Sequence, residues 1–403
     1  MRSSFSLRER VRVREKRHNH HNKPLLTISQ KPMSQTLLAP PKQTASNADW
    51  LAQLREIVER DLAPIITEVD AKGVYPREFM HAFGAAGGFG QSAHDGRGVA
   101  ATIAAMEIIS ETCLSTGFCA WCQSVCAWYI QHGQSQRLKD EVLPDVLSGV
   151  RLAGTGLSNP MKHFAGIENL NVKAVRTDGG YLINGALPWV SNVDVSHCFA
   201  VVAHLEAEND YLMAIVDGDA PGLRLGGGGE FIALEGSSTY ACRFTDVFIA
   251  DDAVLAHPCD DYIKRVRPGF VLTQCGFGMG LTQSCIALMK KANRSTAHVN
   301  CFLDDTVEDI ESDLMELRER VYALAGEVES ARANLFRDVV QARYDTADLS
   351  LRASRGAMLY AGAAGYRLGG ATERKLRESY FVAVVTPAMK HLKKLLHDLP
   401  ETA

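Results

Sequence analysis

Between residue 152 and about residue 255 the hydrophobic pattern changes period, and that change restricts the folds open to this chain. Val172, Ala174 and Arg176 alternate with Asn171, Lys173 and Val175, residues 199–202 and 212–216 are short apolar runs, and residues 240–248 read as a further strand. Turn residues recur every ~8 to 12 positions, with Gly226 to Gly229 as a flexible loop, which is the spacing of a small antiparallel β domain. On both sides the period is helical. Trp50, Leu51, Leu54, Ile57, Val58 and Leu62 form an apolar stripe opposite Gln53, Arg55, Glu56 and Glu59, and a longer apolar helix covers residues 100–112. Residues 270–293, 306–334, 335–360 and 374–396 repeat the pattern as four long helices, enough for a bundle. The expected class is therefore α+β multidomain: a basic leader over residues 1–45, an N-terminal helical domain over 46–151, a middle antiparallel β domain over 152–260 and a C-terminal four-helix bundle over 261–403.

Composition narrows the function classes. With 403 residues, 46% of them hydrophobic and 22% charged, the chain is long enough for two or three cores. No apolar run approaches the ~18 residues of a spanning helix, so no membrane role is expected. A net charge of −4 gives no concentrated basic face for nucleic acid. The ten cysteines are scattered without a disulfide framework, which points to a reducing compartment. Cys119, Cys122 and Cys126 follow the spacing of one helix face and have no second Cys or His pair to complete a metal site, so they read as buried small residues and no metal is expected. The first 32 residues carry nine Lys or Arg against Glu9 and Glu15. They read as a disordered leader, either an organelle transit peptide or an over-long start before Met33, with the cytoplasm as the expected location and an organelle matrix as the alternative.

Within the β region, residues 181–192 carry the most chemistry. Tyr181, Leu182 and Ile183 read as a strand, and Asn184-Gly185 as a tight hairpin turn, because both central residues of such a turn need φ > 0. On the return strand Trp189 and Ser191 lie two apart and face the same way, an indole beside a hydroxyl. Taken alone, Trp189 is a packed core aromatic, as most tryptophans are. As a pair, they suit a flat heterocycle, with a ring to stack and a hydroxyl to bond a ring nitrogen or carbonyl.

Gly185-x-x-x-Trp189-Val-Ser-Asn192 resembles a segment of the acyl-CoA dehydrogenase family, with Ser191 in place of the usual Thr. Three further stretches are similar to that family: Leu157-Ser158-Asn159-Pro160, Gly236-Ser-Ser-Thr239 followed by Phe244-x-Asp246-Val247, and Ala361-Gly-Ala-Ala-Gly-Tyr366 with Lys375-Leu-Arg377-Glu378 in register after it. Asp70-x-x-Gly73-x-Tyr75-Pro76 looks like the entry to its N-terminal helical domain. The resemblance spans nearly the whole chain beyond the leader. It implies FAD as cofactor, with Leu157, Ser158, Trp189, Val190 and Ser191 around the isoalloxazine. It also implies that Gly362 and Gly365 let a neighbouring subunit's FAD approach the backbone, and hence a homodimer or homotetramer.

The departures from that family bear on the reaction. The glutamate that takes the substrate α-proton falls, in this register, on Thr386, followed by Pro387. The alternative base position lies in residues 265–274, which hold no acid. A threonine hydroxyl does not act as a base near neutral pH without a partner for its proton, so no catalytic residue is assigned. The loop after Pro160 reads Met161-Lys162-His163-Phe164-Ala165 where the family has a Gly- and Ser-containing turn. Arg294-Ser-Thr296 stands near the place of a pyrophosphate-binding Arg-x-Thr. The expected activity is α,β-dehydrogenation of an acyl thioester, the substrate being a small molecule and by the resemblance an acyl-CoA. A flavin-dependent monooxygenase or oxidase on the same fold and a flavin-binding protein without dehydrogenase activity are the alternatives. The electron acceptor or reductase is not readable from the sequence.

Overall fold

A computed structural model describes residues 47–90, 98–227 and 229–400; the basic leader lies outside them. Helix α1 (Asn47–Ile57) buries Trp50, Leu54 and Ile57, the stripe anticipated from its period. Helix α2 (Ile66–Lys72) stops at Gly73, whose φ of 66° lets its N–H bond back to the Glu68 carbonyl, a left-handed cap that glycine adopts without strain. Helices α3 (Arg77–Ala85), α4 (Gly98–Thr112) and α5 (Leu114–His132) follow, with the short α6 (Leu143–Leu147) after them. Every residue of α5 from Leu114 to Ile130 is buried, so Cys119, Cys122 and Cys126 are internal packing residues. Burial pushes the Cys119 and Cys122 thiols well above the ordinary range, and the hydrogen bond with Cys198, together with burial, does the same to Cys126.

Among the described residues eight strands follow: β1 (Ala153–Thr155), β2 (Val172–Thr177), β3 (Gly180–Val190), β4 (Cys198–Leu205), β5 (Asp210–Asp217), β6 (Leu223–Gly227), β7 (Tyr240–Ala250) and β8 (Val254–Ala256). They form one sheet in the order β6-β7-β3-β2-β4-β5-β8, with β1 beside β4. The sheet is mostly antiparallel but not wholly so, because β1 and β2 each run parallel to β4. Period two sorts β4 cleanly. Phe199, Val201 and Ala203 enter a core made by the sheet and its connecting loops, while Cys198, Ala200 and Val202 enter the core shared with the helices.

Two local expectations are corrected here. Asn184-Gly185 is not a hairpin turn: β3 runs through it, and the turn between β2 and β3 is Asp178-Gly179, with Thr177 paired to Gly180. Gly185 sits at a bulge opposite β7 with φ 134°, where a Cβ would lie 2.3 Å from the Asn171 carbonyl oxygen. Asn184 satisfies its amide across the sheet, donating from Nδ2 to Asp246 Oδ1 at 2.8 Å and accepting from the Asp246 N–H at 2.9 Å. Gly226 and Gly227 continue strand β6, paired with Ala241 and Tyr240, instead of forming a loop.

After the short helix α7 (Ser158–Phe164), which precedes β2, the remaining helices are α8 (Asp260–Leu272), α9 (Gln274–Asn300), α10 (Val307–Glu327), α11 (Leu335–Ala361), α12 (Ala371–Val384) and α13 (Met389–Asp398). The C-terminal helices begin earlier than expected, with Pro268 carried inside α8; Tyr262, Ile263, Val266 and Phe270 are all buried at helical spacing. The last expected helix is two. Val385 and Ala388 have extended backbones, because Pro387 has no N–H to donate and disfavours helical geometry at Thr386. Helices from before and after the sheet share one core.

Candidate active site

A cavity of about 830 Å³ opens between the sheet and the C-terminal helices. The sheet side supplies Trp189, at the end of β3, and Ser191 just beyond it. Ser191 Oγ lies 2.8 Å from Thr239 Oγ1, which lies 2.8 Å from Ser237 Oγ, so three hydroxyls form a row beside the indole. Trp189 keeps 55% of its surface exposed, unusual for so large an apolar side chain. The Gly236-Ser-Ser-Thr239 segment is not strand. A single helical turn, Glu235–Ser237, and Ser238 at φ 49° turn the Ser237 and Thr239 hydroxyls towards Ser191.

The N-terminal helices fix this edge of the sheet. Tyr75 Oη donates to Asn192 Oδ1 at 2.5 Å, and Asn192 Nδ2 donates to the Ala153 carbonyl at 2.7 Å. The Tyr-Pro entry and the Trp-x-Ser-Asn segment, 117 residues apart, are therefore one structural device.

Opposite stands the break between α12 and α13. Thr386 Oγ1 lies 2.8 Å from Ser158 Oγ, and the Thr386 carbonyl accepts from Gln274 Nε2 at 2.9 Å. Gln274 is itself held by Arg343, whose Nε donates to Gln274 Oε1 at 2.9 Å and whose Nη2 donates to the Val382 carbonyl at 2.5 Å. Burial pulls the Arg343 guanidinium down to about 10, so it is still a cation at neutral pH. The backbone at Thr386 is thereby set by two buried side chains.

Glu168 is the one carboxylate lining the cavity among the described residues, and it is engaged. Asn159 Nδ2 donates to it at 2.7 Å and Lys162 Nζ reaches it at 2.8 Å. Burial would raise its pKa, but the hydrogen bonds from Asn159 and Lys162 outweigh burial and leave the carboxyl below its usual range. His391 on α13 is different. Its side chain is buried, with the residue 5% exposed, and its Nδ1 has no hydrogen-bond partner. Burial, reinforced by Lys394 and Lys162, holds the imidazole down to about 4. At neutral pH it is an uncharged ring that lines a cavity together with Lys390 and Lys394, its unbonded Nδ1 being closed off from solvent.

Of the residues singled out by sequence, Ser158, Trp189, Ser191 and Thr386 meet at this one cavity. The side chains of Leu157 and Val190 are fully buried, Leu157 in the core shared with the helices and Val190 in the sheet core. Gly362 and Gly365 lie at the end of α11, away from the cavity lining, Gly362 exposed with φ 55° and Gly365 buried. Arg294 and Thr296 do not line it either: Thr296 Oγ1 donates within α9 to the Ala292 carbonyl at 2.9 Å. Sequence reasoning missed His391 and the aromatic lining from Phe118, Trp121, Phe270 and Phe381. The first could have been found as the first histidine following Thr386, on the amphipathic terminal helix; the second reads as ordinary core until the helices are placed.

Helices, a mostly antiparallel sheet, then a helical bundle, with a cavity where sheet and bundle meet, is the architecture of the acyl-CoA dehydrogenase fold. The comparisons agree: residues 44–150 match the family described as acyl-CoA dehydrogenase, N-terminal domain. The probable acyl-CoA dehydrogenase FadE25 of Mycobacterium tuberculosis is 22% identical over 345 residues, covering 81% of this chain and 88% of that protein. Among solved structures, butyryl-CoA dehydrogenase from Megasphaera elsdenii superposes with a TM-score of 0.78 at 18% identity, over 89% of this chain and 99% of that one. A structure of PigA with FAD and proline superposes with a TM-score of 0.76 at 15% identity, over 89% and 98%. The chain is thus similar to acyl-CoA dehydrogenases over most of its length and shares their fold.

Proposed function

We propose that the protein is an FAD-dependent oxidoreductase that dehydrogenates an acyl thioester at its α,β carbon–carbon bond. The observation that carries this reading is the shared cavity: an exposed indole and a row of hydroxyls on the sheet side face Ser158, Thr386 and His391 on the other. The sheet side fits a flavin, since the half-exposed Trp189 ring offers a flat apolar face and Ser191, Thr239 and Ser237 offer hydroxyls at its edge. Bound FAD would supply the hydride acceptor. The protein's own tasks are then to orient the thioester and to take the α-proton.

No free carboxylate lines the cavity among the described residues, so His391 is the group left to accept that proton. Its low basicity makes it a weak base, because proton-transfer catalysis works best when the pKa lies near the working pH. Slow turnover with simple saturated acyl-CoAs follows. The exposed Gly362 and the neighbouring Tyr366 and Leu368, 83% and 91% exposed, suit contact with a second copy of the chain, which supports a homodimer or homotetramer.

The test is anaerobic. Protein purified with FAD supplied is mixed with a panel of acyl-CoAs, and bleaching of the flavin absorbance is followed for the natural chain and for His391→Gln. Bleaching by at least one acyl-CoA, slowed tenfold or more by His391→Gln, is the expected result. A colourless protein without flavin affinity would remove the proposal, and equal rates for the two proteins would remove His391 from it.

A further inference from the structure

The cavity's inner wall says which acyl group fits. Four aromatic side chains from three helices line it: Phe118 and Trp121 from α5, Phe270 from α8 and Phe381 from α12. They are packed against one another. Phe118 and Trp121 stack with centroids 5.6 Å apart and planes 14° apart. Phe381 meets Phe118 edge-on at 4.6 Å, and Phe270 meets Trp121 edge-on at 4.9 Å.

The wall is also pinned from behind. Trp121 Nε1 donates to Thr273 Oγ1 at 2.9 Å, and that hydroxyl donates in turn to the Gly269 carbonyl at 2.8 Å. Phe277, fully buried, closes the space beyond, T-shaped against Phe118 at 6.5 Å and against Trp121 at 6.2 Å. A straight acyl chain that reaches this wall meets packed rings with the buried Phe277 behind them, and tightly packed rings do not move aside without loss of contacts. A compact ring meets complementary faces and edges, the arrangement aromatic groups favour.

We infer that the acyl group this cavity selects carries a compact ring and is not a long straight chain, with Phe118, Trp121 and Phe381 setting the specificity. This inference rests on the thioester reading above, and the two are separated by their tests. Calorimetric titration of the FAD-loaded protein under anaerobic conditions compares phenylacetyl-CoA, which has no β-hydrogen and so reads binding alone, with octanoyl-CoA, whose slower flavin bleaching is followed separately. The expected result is at least tenfold tighter binding of phenylacetyl-CoA, with the preference lost in Phe118→Leu and in Phe381→Leu, the second altering only a half-buried side chain. Octanoyl-CoA binding as tightly as phenylacetyl-CoA to the natural chain overturns the inference. If neither thioester binds, phenylacetate and octanoate are titrated instead. Phenylacetate binding alone upholds the ring and overturns the thioester, and no preference between the acids overturns both.

Discussion

Thr386→Glu tests the reading of the site at its centre. The substitution removes one hydrogen bond, between Thr386 Oγ1 and Ser158 Oγ at 2.8 Å, at a cost of about 1 kcal/mol. It leaves the backbone where it is, because the residue 386 carbonyl is still held by Gln274 at 2.9 Å and Gln274 by Arg343 at 2.9 Å. Ser158 stays to donate to the new carboxylate, and Lys390 and Lys394 line the same cavity, so the acid is ionised at pH 7. A positioned general base contributes roughly 10² to 10⁴ in rate, which is about 3 to 5 kcal/mol off the barrier at 1.36 kcal/mol per decade. In anaerobic stopped flow with a bound acyl-CoA, Thr386→Glu is therefore expected to bleach the flavin at least a hundredfold faster than the natural chain, and Thr386→Gln no faster. Flavin that remains bound in Thr386→Glu but is reduced no faster would refute the placing of residue 386 at the α-carbon. Rapid reduction by the unmodified protein would refute the claim that the site lacks a strong base.

His391 makes stability pH-dependent in a known direction. Its folded pKa is held to about 4 against an ordinary 6.5, so the unfolded chain takes up the proton first; the neutral ring's contribution is complete above pH 6.5 and declines as pH falls towards 4. The full loss is about 3 kcal/mol at 1.36 kcal/mol per unit, and urea melts at pH 7 and pH 4.5 should show a smaller decline for His391→Gln than for the natural chain. The pair Lys375 and Glu378, 2.9 Å apart and each 1% exposed, joins α12 to the start of α5, where Glu378 Oε1 accepts from the Leu114 N–H at 3.2 Å. Lys375→Met should cost up to about 3 kcal/mol by leaving the buried carboxylate to the more distant Arg374 at 3.7 Å, with Lys375→Met/Glu378→Leu recovering part of it in the same melts. Light scattering at micromolar concentration with FAD bound should give at least a dimer, and Tyr366→Ser/Leu368→Ser should weaken it; a natural chain that scatters as a monomer would contradict the assembly.

Period and punctuation made the layering of the fold readable in advance. The switch from helical spacing to period two at residue 152 and back after residue 255 needed no tertiary information. What failed were local readings that depend on a partner far along the chain. Asn184-Gly185 has the composition of a turn, and only the approach of Asp246 and Asn171 makes it a bulge. Pro387 was visible, but its position within a regular apolar stripe concealed that the helix ends at Val384. In the site, Trp189, Ser191, Ser158 and Thr386 were named from the sequence. His391 was not, because its character comes chiefly from burial and in part from Lys162 brought near by folding, neither of which is a property of residue order; only Lys394, one turn along the same helix, was visible.

The interruption between α12 and α13 has an evolutionary consequence. In a continuous helix, the direction of residue 386 would be dictated by its phase relative to the core positions on either side, and the side chain could not be re-aimed without repacking the bundle. Here the stretch between Val384 and Met389 has no helical phase, and its peptide is anchored by Gln274. The residues facing the reacting end of the cavity are uncoupled from those that hold the helices together. A lineage can exchange them one at a time, changing what the cavity does to its substrate while inheriting the same scaffold.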